Sequence, residues 1–152
     1  PHNAKVPQLI PLWNHMSTAS TFTLYSSGTL NATVGQPAGS SKACLSCHDG
    51  SVALNNYGSI TNGSTYITGS ALLGTDLAND HPISFTYDAA LATADGGLVT
   101  PASASSVGTL PLPLYGAKME CASCHNAHDS ANGKFLRNAN VNSQLCLNCH
   151  SK

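Results

Sequence analysis

Three five-residue stretches hold every cysteine of the 152-residue chain: Cys44-Leu45-Ser46-Cys47-His48, Cys121-Ala122-Ser123-Cys124-His125 and Cys146-Leu147-Asn148-Cys149-His150. Each reads C-x-x-C-H, the spacing at which two thiols add across the vinyl groups of one porphyrin while the adjacent imidazole reaches the iron. Two intervening residues make one tight turn, so both sulfurs and the ring converge on the same macrocycle. A lone copy also suits a redox dithiol or half of a zinc site. Zinc draws cysteine pairs together in fours, however, and three disulfides across two-residue loops make a poor framework for a secreted domain. Three copies with no thiol left over predict three covalently attached haem c groups. Cys44, Cys47, Cys121, Cys124, Cys146 and Cys149 are the attachment points, and His48, His125 and His150 are the proximal ligands.

Four of the seven histidines remain, His2, His15, His81 and His128, for three distal positions. Imidazole is a common sixth ligand. Met16 and Met119 are the thioether alternatives, suited to a high potential. Three bis-histidine irons leave no open site for a substrate and imply low potentials, so the coordination arithmetic favours electron transfer over catalysis. His128 follows His125 by three residues. On a helical turn the two share a face and cannot bind opposite sides of one flat haem, so His128 is expected to serve a neighbouring one.

The elements that must position these groups are sparse. Aromatic residues make up 6% and charged residues 9% of the chain, the latter well below the usual quarter. Macrocycles then supply much of the interior. The expected fold is a single domain over residues 1–152, mostly coil with few short helices and one or two short strands, wrapped around stacked c-type haems. The opening, PHNAKVPQLIPLWNHM, is extended, because Pro1, Pro7 and Pro11 forbid a continuing helix. Thr-Phe-Thr-Leu-Tyr at 21–25 alternates with period two and reads as a short strand, followed by Gly/Ser/Pro turn material to residue 41. Asp49–Gly74 is a loop rich in Ser, Asn, Gly and Thr. His81 precedes a proline and is biased to an extended conformation. DAALATAD (88–95) is one short helix, and Asn142 or Ser143 caps another before the last motif.

Formal net charge is −1, with neither a basic footprint for nucleic acid nor a polybasic membrane patch. No run is long and apolar enough to span a bilayer. Haem c is attached outside the cytoplasm, so a removed export signal and a location outside the cell or on its surface are expected, with the periplasm as second choice.

The order HNA, PLWNH, TLYSS, SSKACLSCHDGSVAL, NDHPISFTYD, LPLYG, KMECASCHNAH, KFLR and LCLNCH resembles the multihaem c-type cytochromes of metal-reducing bacteria, the doubled C-x-x-C-H group, which includes members that polymerise into extracellular conducting filaments. That resemblance implies His15, His81 and His128 as distal ligands. It places His2 where the group has C-x-x-C-H-x-P-H-N, of which only Pro1-His2-Asn3 is present. The surplus histidine, His2 or His15, is then a candidate to ligate an iron in the next copy of the chain. Expected partners are copies of itself, other redox cytochromes and extracellular electron acceptors. The alternatives are a soluble periplasmic shuttle, for which a shorter, lysine-rich chain is expected, and a small haem reductase with an open iron, for which nothing clusters cationic residues near a motif.

Overall fold

The computed structural model describes residues 13–151, so the expectations for His2 and for the prolines of the opening segment lie outside it. As the composition predicts, most of the described chain is coil. Its regular elements are α1 (Gly39–His48), β1 (Phe85–Thr86), α2 (Ala89–Asp95), β2 (Ser106–Val107), β3 (Leu112–Pro113), β4 (Lys118–Met119), α3 (Cys121–Cys124) and α4 (Gln144–Leu147), with 3-10 turns at Gly69–Ala71 and Val141–Ser143. The chain gathers into two compact units. One takes the described residues up to Tyr25 and Gln36–Pro82, and the other Ser26–Gly35 and the chain from Ile83 onward.

In the first unit, α1 begins inside the stretch read as turn material. Between Pro37 and Gly50 there is neither proline nor a β-branched residue to interrupt it. It buries Ser41, Ala43, Leu45 and Ser46, which leaves Cys44 exposed and Cys47 half-buried on another face. The helix stops where Asp49 N–H bonds Leu45 and Gly50 N–H bonds Cys47. Gly50 takes φ +77°, and a Cβ there would lie 2.6 Å from Leu72 Cδ1. The alternating segment at 21–25 forms no strand, only a single parallel bridge between Thr23 and Asp76. Its other edge is closed by a side chain: Phe22 N–H donates to Gln36 Oε1, and Gln36 Nε2 donates back to the Phe22 carbonyl, both at 2.9 Å. An amide side chain thus substitutes for a neighbouring strand.

The second unit holds a conventional apolar core of Phe85, Tyr87, Val107, Leu112, Leu114, Met119 and Cys149. Two ladders frame it, each antiparallel and two residues long: β1 on β4, with Phe85 opposite Met119, and β2 on β3, with Val107 opposite Leu112. Met119, weighed above as a thioether ligand, is core packing at 3% exposure. The expected helix at 88–95 forms as α2. The Asp88 carboxylate caps Leu91 N–H at 2.8 Å, and Gly96 ends the helix in the left-handed region (φ 67°) with its N–H on the Ala92 carbonyl. Ser143 does stand at the N-cap of α4, but at φ 61° and without a side-chain cap bond.

Candidate haem-attachment sites

Each motif sits where a short helix ends and a crossing segment catches the chain. In the first unit α1 carries Cys44 and Cys47 at i and i+3, on one face. The Gly69–Gly74 segment then grips the end of the motif. Leu73 and Gly74 N–H both bond the His48 carbonyl, and His48 Nδ1 lies 2.8 Å from the Ala71 carbonyl. A ring nitrogen that close to a carbonyl carries the proton, so the lone pair is on Nε2, the tautomer a metal ligand needs.

The second motif is built by β4. Glu120, 3% exposed, caps the single turn of α3 through a reciprocal box with Ser123, and Ser84 Oγ donates to its carboxylate at 2.9 Å. The helix ends at Cys124, and His125 turns out in an extended conformation (φ −110°, ψ 140°), bridged to Leu136. His125 and His128 therefore do not share a helical turn, because the backbone leaves the helix at His125. His128 lies exposed on the following turn. His125 Nδ1 is 2.9 Å from the Lys134 carbonyl, which again leaves the Nε2 lone pair for ligation.

The third motif spans α4 and the C-terminal strand-like exit. Val99 N–H bonds the Cys149 carbonyl, Ser151 N–H bonds Gly97, and His150 bridges Leu98. Tyr87 hydroxyl donates to the Val99 carbonyl at 2.8 Å and the Cys149 carbonyl at 3.2 Å, tying the motif to the core.

The expected distal histidines are placed differently from one another. His81 is exposed, with Nδ1 2.9 Å from the Pro82 carbonyl, the same tautomer as His48 and His125. His15 is buried beside the first motif, its Nε2 3.7 Å from Cys47 Sγ. Its ring packs edge-on against Trp13, and its two nitrogens lie 2.7 Å from the Met16 carbonyl and 2.9 Å from the Ala53 carbonyl. Binding an iron through Nε2 requires that ring to release Ala53. Met16, the other thioether alternative, is largely exposed.

None of the six cysteines is paired with another in a disulfide. Burial pushes the second thiol of every motif up. Cys47 rises further beside Asp49. Cys124 rises with Cys121 and Cys146 adding to burial and Arg137 opposing it. Cys149 is pushed up to about 11 by burial, with Cys124 adding. The sulfurs of the second and third motifs are therefore within electrostatic reach of one another. Among the described residues no three His, Cys, Asp or Glu side chains converge as a metal-ion site.

A covalently attached haem fits this donor set. The thiol pairs stand at the attachment spacing, and His48 and His125 hold the ligating tautomer. Large apolar side chains flank the motifs in the open: Leu72 and Leu73 beside His48, and Phe135 and Leu147 in the second unit, all at 45% exposure or more. Such surface suits a flat apolar group.

Sequence reasoning missed one member of the first site. Asp49, 6% exposed, follows His48 and accepts from the Thr18 hydroxyl, the Ser51 N–H at 2.7 Å and the Ser51 hydroxyl at 2.9 Å. Thr18 N–H in turn bonds Ser46 Oγ, so the segment carrying His15 is stapled to α1. Burial opposes the Asp49 charge, but the bonds from Thr18, Ser51 and Ser20 outweigh it and hold the carboxyl below its ordinary range. A depressed carboxyl contributes stability above its unfolded value that is lost as pH falls through the folded one. Asp49→Asn is expected to cost about 1–3 kcal/mol at neutral pH, the range for an unsatisfied buried partner. The gap to wild type should close in acid; urea melts at pH 7 and pH 3 measure both.

Residues 115–152 match the family described as the doubled CXXCH motif. No curated protein matches the chain. The family match, on the second and third motifs, supports a multihaem c-type cytochrome with covalently attached haem c, in electron transfer.

Proposed function

We propose that the chain is a secreted three-haem c-type cytochrome that relays electrons through closely spaced bis-histidine haems, as a subunit of an extracellular conductive filament. The observation that carries this reading is the exhaustion of all six cysteines by three C-x-x-C-H motifs, joined by the ligating tautomer of His48 and His125. Bound haem c supplies one-electron chemistry at the iron. The chain's residues do the rest. The cysteine pairs would fix each macrocycle and His48, His125 and His150 would ligate its iron, while the carbonyls of Ala71 and Lys134 hold two of those rings in one orientation. His15, His81 and His128 are the distal ligands in this reading. His15 is the natural partner of the first motif because it already lies against Cys47. Saturated irons suppress ligand binding, which suits relay rather than catalysis.

Low charge, abundant hydroxyl side chains and long loops favour a filament subunit over a lysine-rich shuttle. The surplus His2 would join an iron in the next copy through a contact between unlike surfaces, which repeats without closing. Electron microscopy of material sheared from cells tests this directly. Micrometre filaments with a regular repeat, lost on His2→Ala, are expected. Discrete monomers of full haem content would make the protein a periplasmic shuttle, and prompt carbon monoxide binding to the reduced protein would point to an open-site enzyme.

A further inference from the structure

Among the described residues, six other than glycine hold a left-handed backbone: Ser84, Ala117, Lys134, Phe135, Asn142 and Ser143. All six belong to the unit that carries the doubled motif. Side chains with a Cβ disfavour that conformation, and it persists only where the surroundings over-determine it. Lys134 (φ 44°) and Phe135 (φ 57°) are consecutive, and their surroundings are the second motif.

We propose that the Lys134–Phe135 turn is a positioning element for His125, which holds the ring's Nδ1 proton on the Lys134 carbonyl and so lowers the midpoint potential of the haem on Cys121 and Cys124. The inference rests on the haem c reading above. Three bonds join the turn to the motif in register. Arg137 N–H reaches the Cys124 carbonyl at 2.9 Å, His125 Nδ1 reaches Lys134, and Asn126 N–H reaches the Phe135 carbonyl at 2.7 Å. Side chains hold the turn from both flanks. Arg137 Nε donates to the Ala122 carbonyl at 2.7 Å, and the Asn132 amide donates to the Leu136 and Arg137 carbonyls. A right-handed residue at 134 would swing the carbonyl away from His125. The first site meets the same need without strain, because its gripping turn opens on Gly69 at φ 66°.

The consequence is chemical. A proximal imidazole that donates through Nδ1 is a more basic ligand through Nε2. A more basic ligand favours ferric iron, and axial and outer-shell partners are the levers that set haem potential.

The test is spectroelectrochemistry on the holoprotein, comparing wild type with Lys134→Pro and Lys134→Gly. Proline fixes φ near −65° and cannot take the turn, whereas glycine takes it freely. Lys134→Gly should leave every midpoint in place. Lys134→Pro should raise one, with about a tenfold change in that haem's ferric-to-ferrous ratio at fixed potential, near 59 mV for one electron, and leave the others unmoved. An unchanged set of midpoints in a folded, fully loaded Lys134→Pro protein would overturn the inference. Proton NMR of the wild-type holoprotein gives an answer that does not depend on that variant folding. A slowly exchanging His125 Nδ1 proton is expected, and exchange as fast as a solvent-exposed imidazole would overturn it. A peptide bearing Cys121 and Cys124 without haem would instead sink the haem reading, and would be recognised by its mass.

Discussion

Replacing Cys146 and Cys149 together with alanine is expected to yield a chain one haem short of the wild-type load and much less stable. The two sulfurs do different work. Cys146 is exposed, and its loss removes a thioether and little packing. Cys149 is 8% exposed in the core beside Tyr87 and Val107, so its truncation leaves a small cavity worth about 1 kcal/mol. The missing macrocycle matters more. If it covers roughly 200 Å² of apolar protein surface, about that of one large aromatic side chain, its absence forfeits about 5 kcal/mol at about 25 cal/mol per Å². Pyridine haemochrome absorbance per chain, with thermal melts followed in the Soret band, reads both losses. Cys44→Ala with Cys47→Ala should remove one haem equally while sparing the core of the second unit, since neither residue belongs to it.

Gly108→Ala is expected to be the most damaging single change away from the motifs themselves. Gly108 closes the turn between β2 and β3 at φ +87°, and a Cβ there would lie 2.8 Å from the Asn148 backbone oxygen and from its Cβ. Asn148 is inside the third motif and 3% exposed, with Oδ1 accepting from Leu110 N–H at 3.0 Å. Neither a backbone oxygen nor a Cβ can rotate aside, so the clash pushes either the turn or the helical turn that bears Cys146 and Cys149. The left-handed backbone costs about 1–2 kcal/mol with a side chain, and overpacking adds about 1–3 kcal/mol. A melting temperature lower by roughly 5–15 °C follows for a chain of this size. Limited proteolysis should expose the turn at 108–110 before the rest of the core.

The two cases mark what a reader of the sequence can and cannot see. The attachment residues are legible because covalent chemistry fixes their spacing, and α2 is legible because Asp88 and Gly96 bracket an alanine-rich run. Asp88 is a cap rather than an idle surface carboxylate, and its place before AALATA was the available signal. The ladders are not legible. Two paired residues have no period, and Leu112–Pro113 falls in LPLPLYG, a stretch dense in proline with a glycine at its end. Thr-Phe-Thr-Leu-Tyr shows the converse failure. Alternation promised a strand, but a strand needs a partner, and here Gln36 occupies one edge while Asp76 supplies a single bridge. Buried polar groups such as Asp49 and Thr18 look like ordinary loop residues in the sequence, because their value comes from meeting one another across about thirty residues of chain. The left-handed Lys134 and Phe135 break local preference beside a ligand, which is where functional sites depart from local rules.

The claim on which the rest depends is that all six cysteines are haem thioethers. Intact mass of the protein, followed by peptide mapping, tests it most directly. A mass heavier than the polypeptide by three haems is expected, with one on each of the peptides that carry Cys44 and Cys47, Cys121 and Cys124, and Cys146 and Cys149. Peptides at the bare mass, joined by disulfides or released by a chelator with zinc, would contradict it.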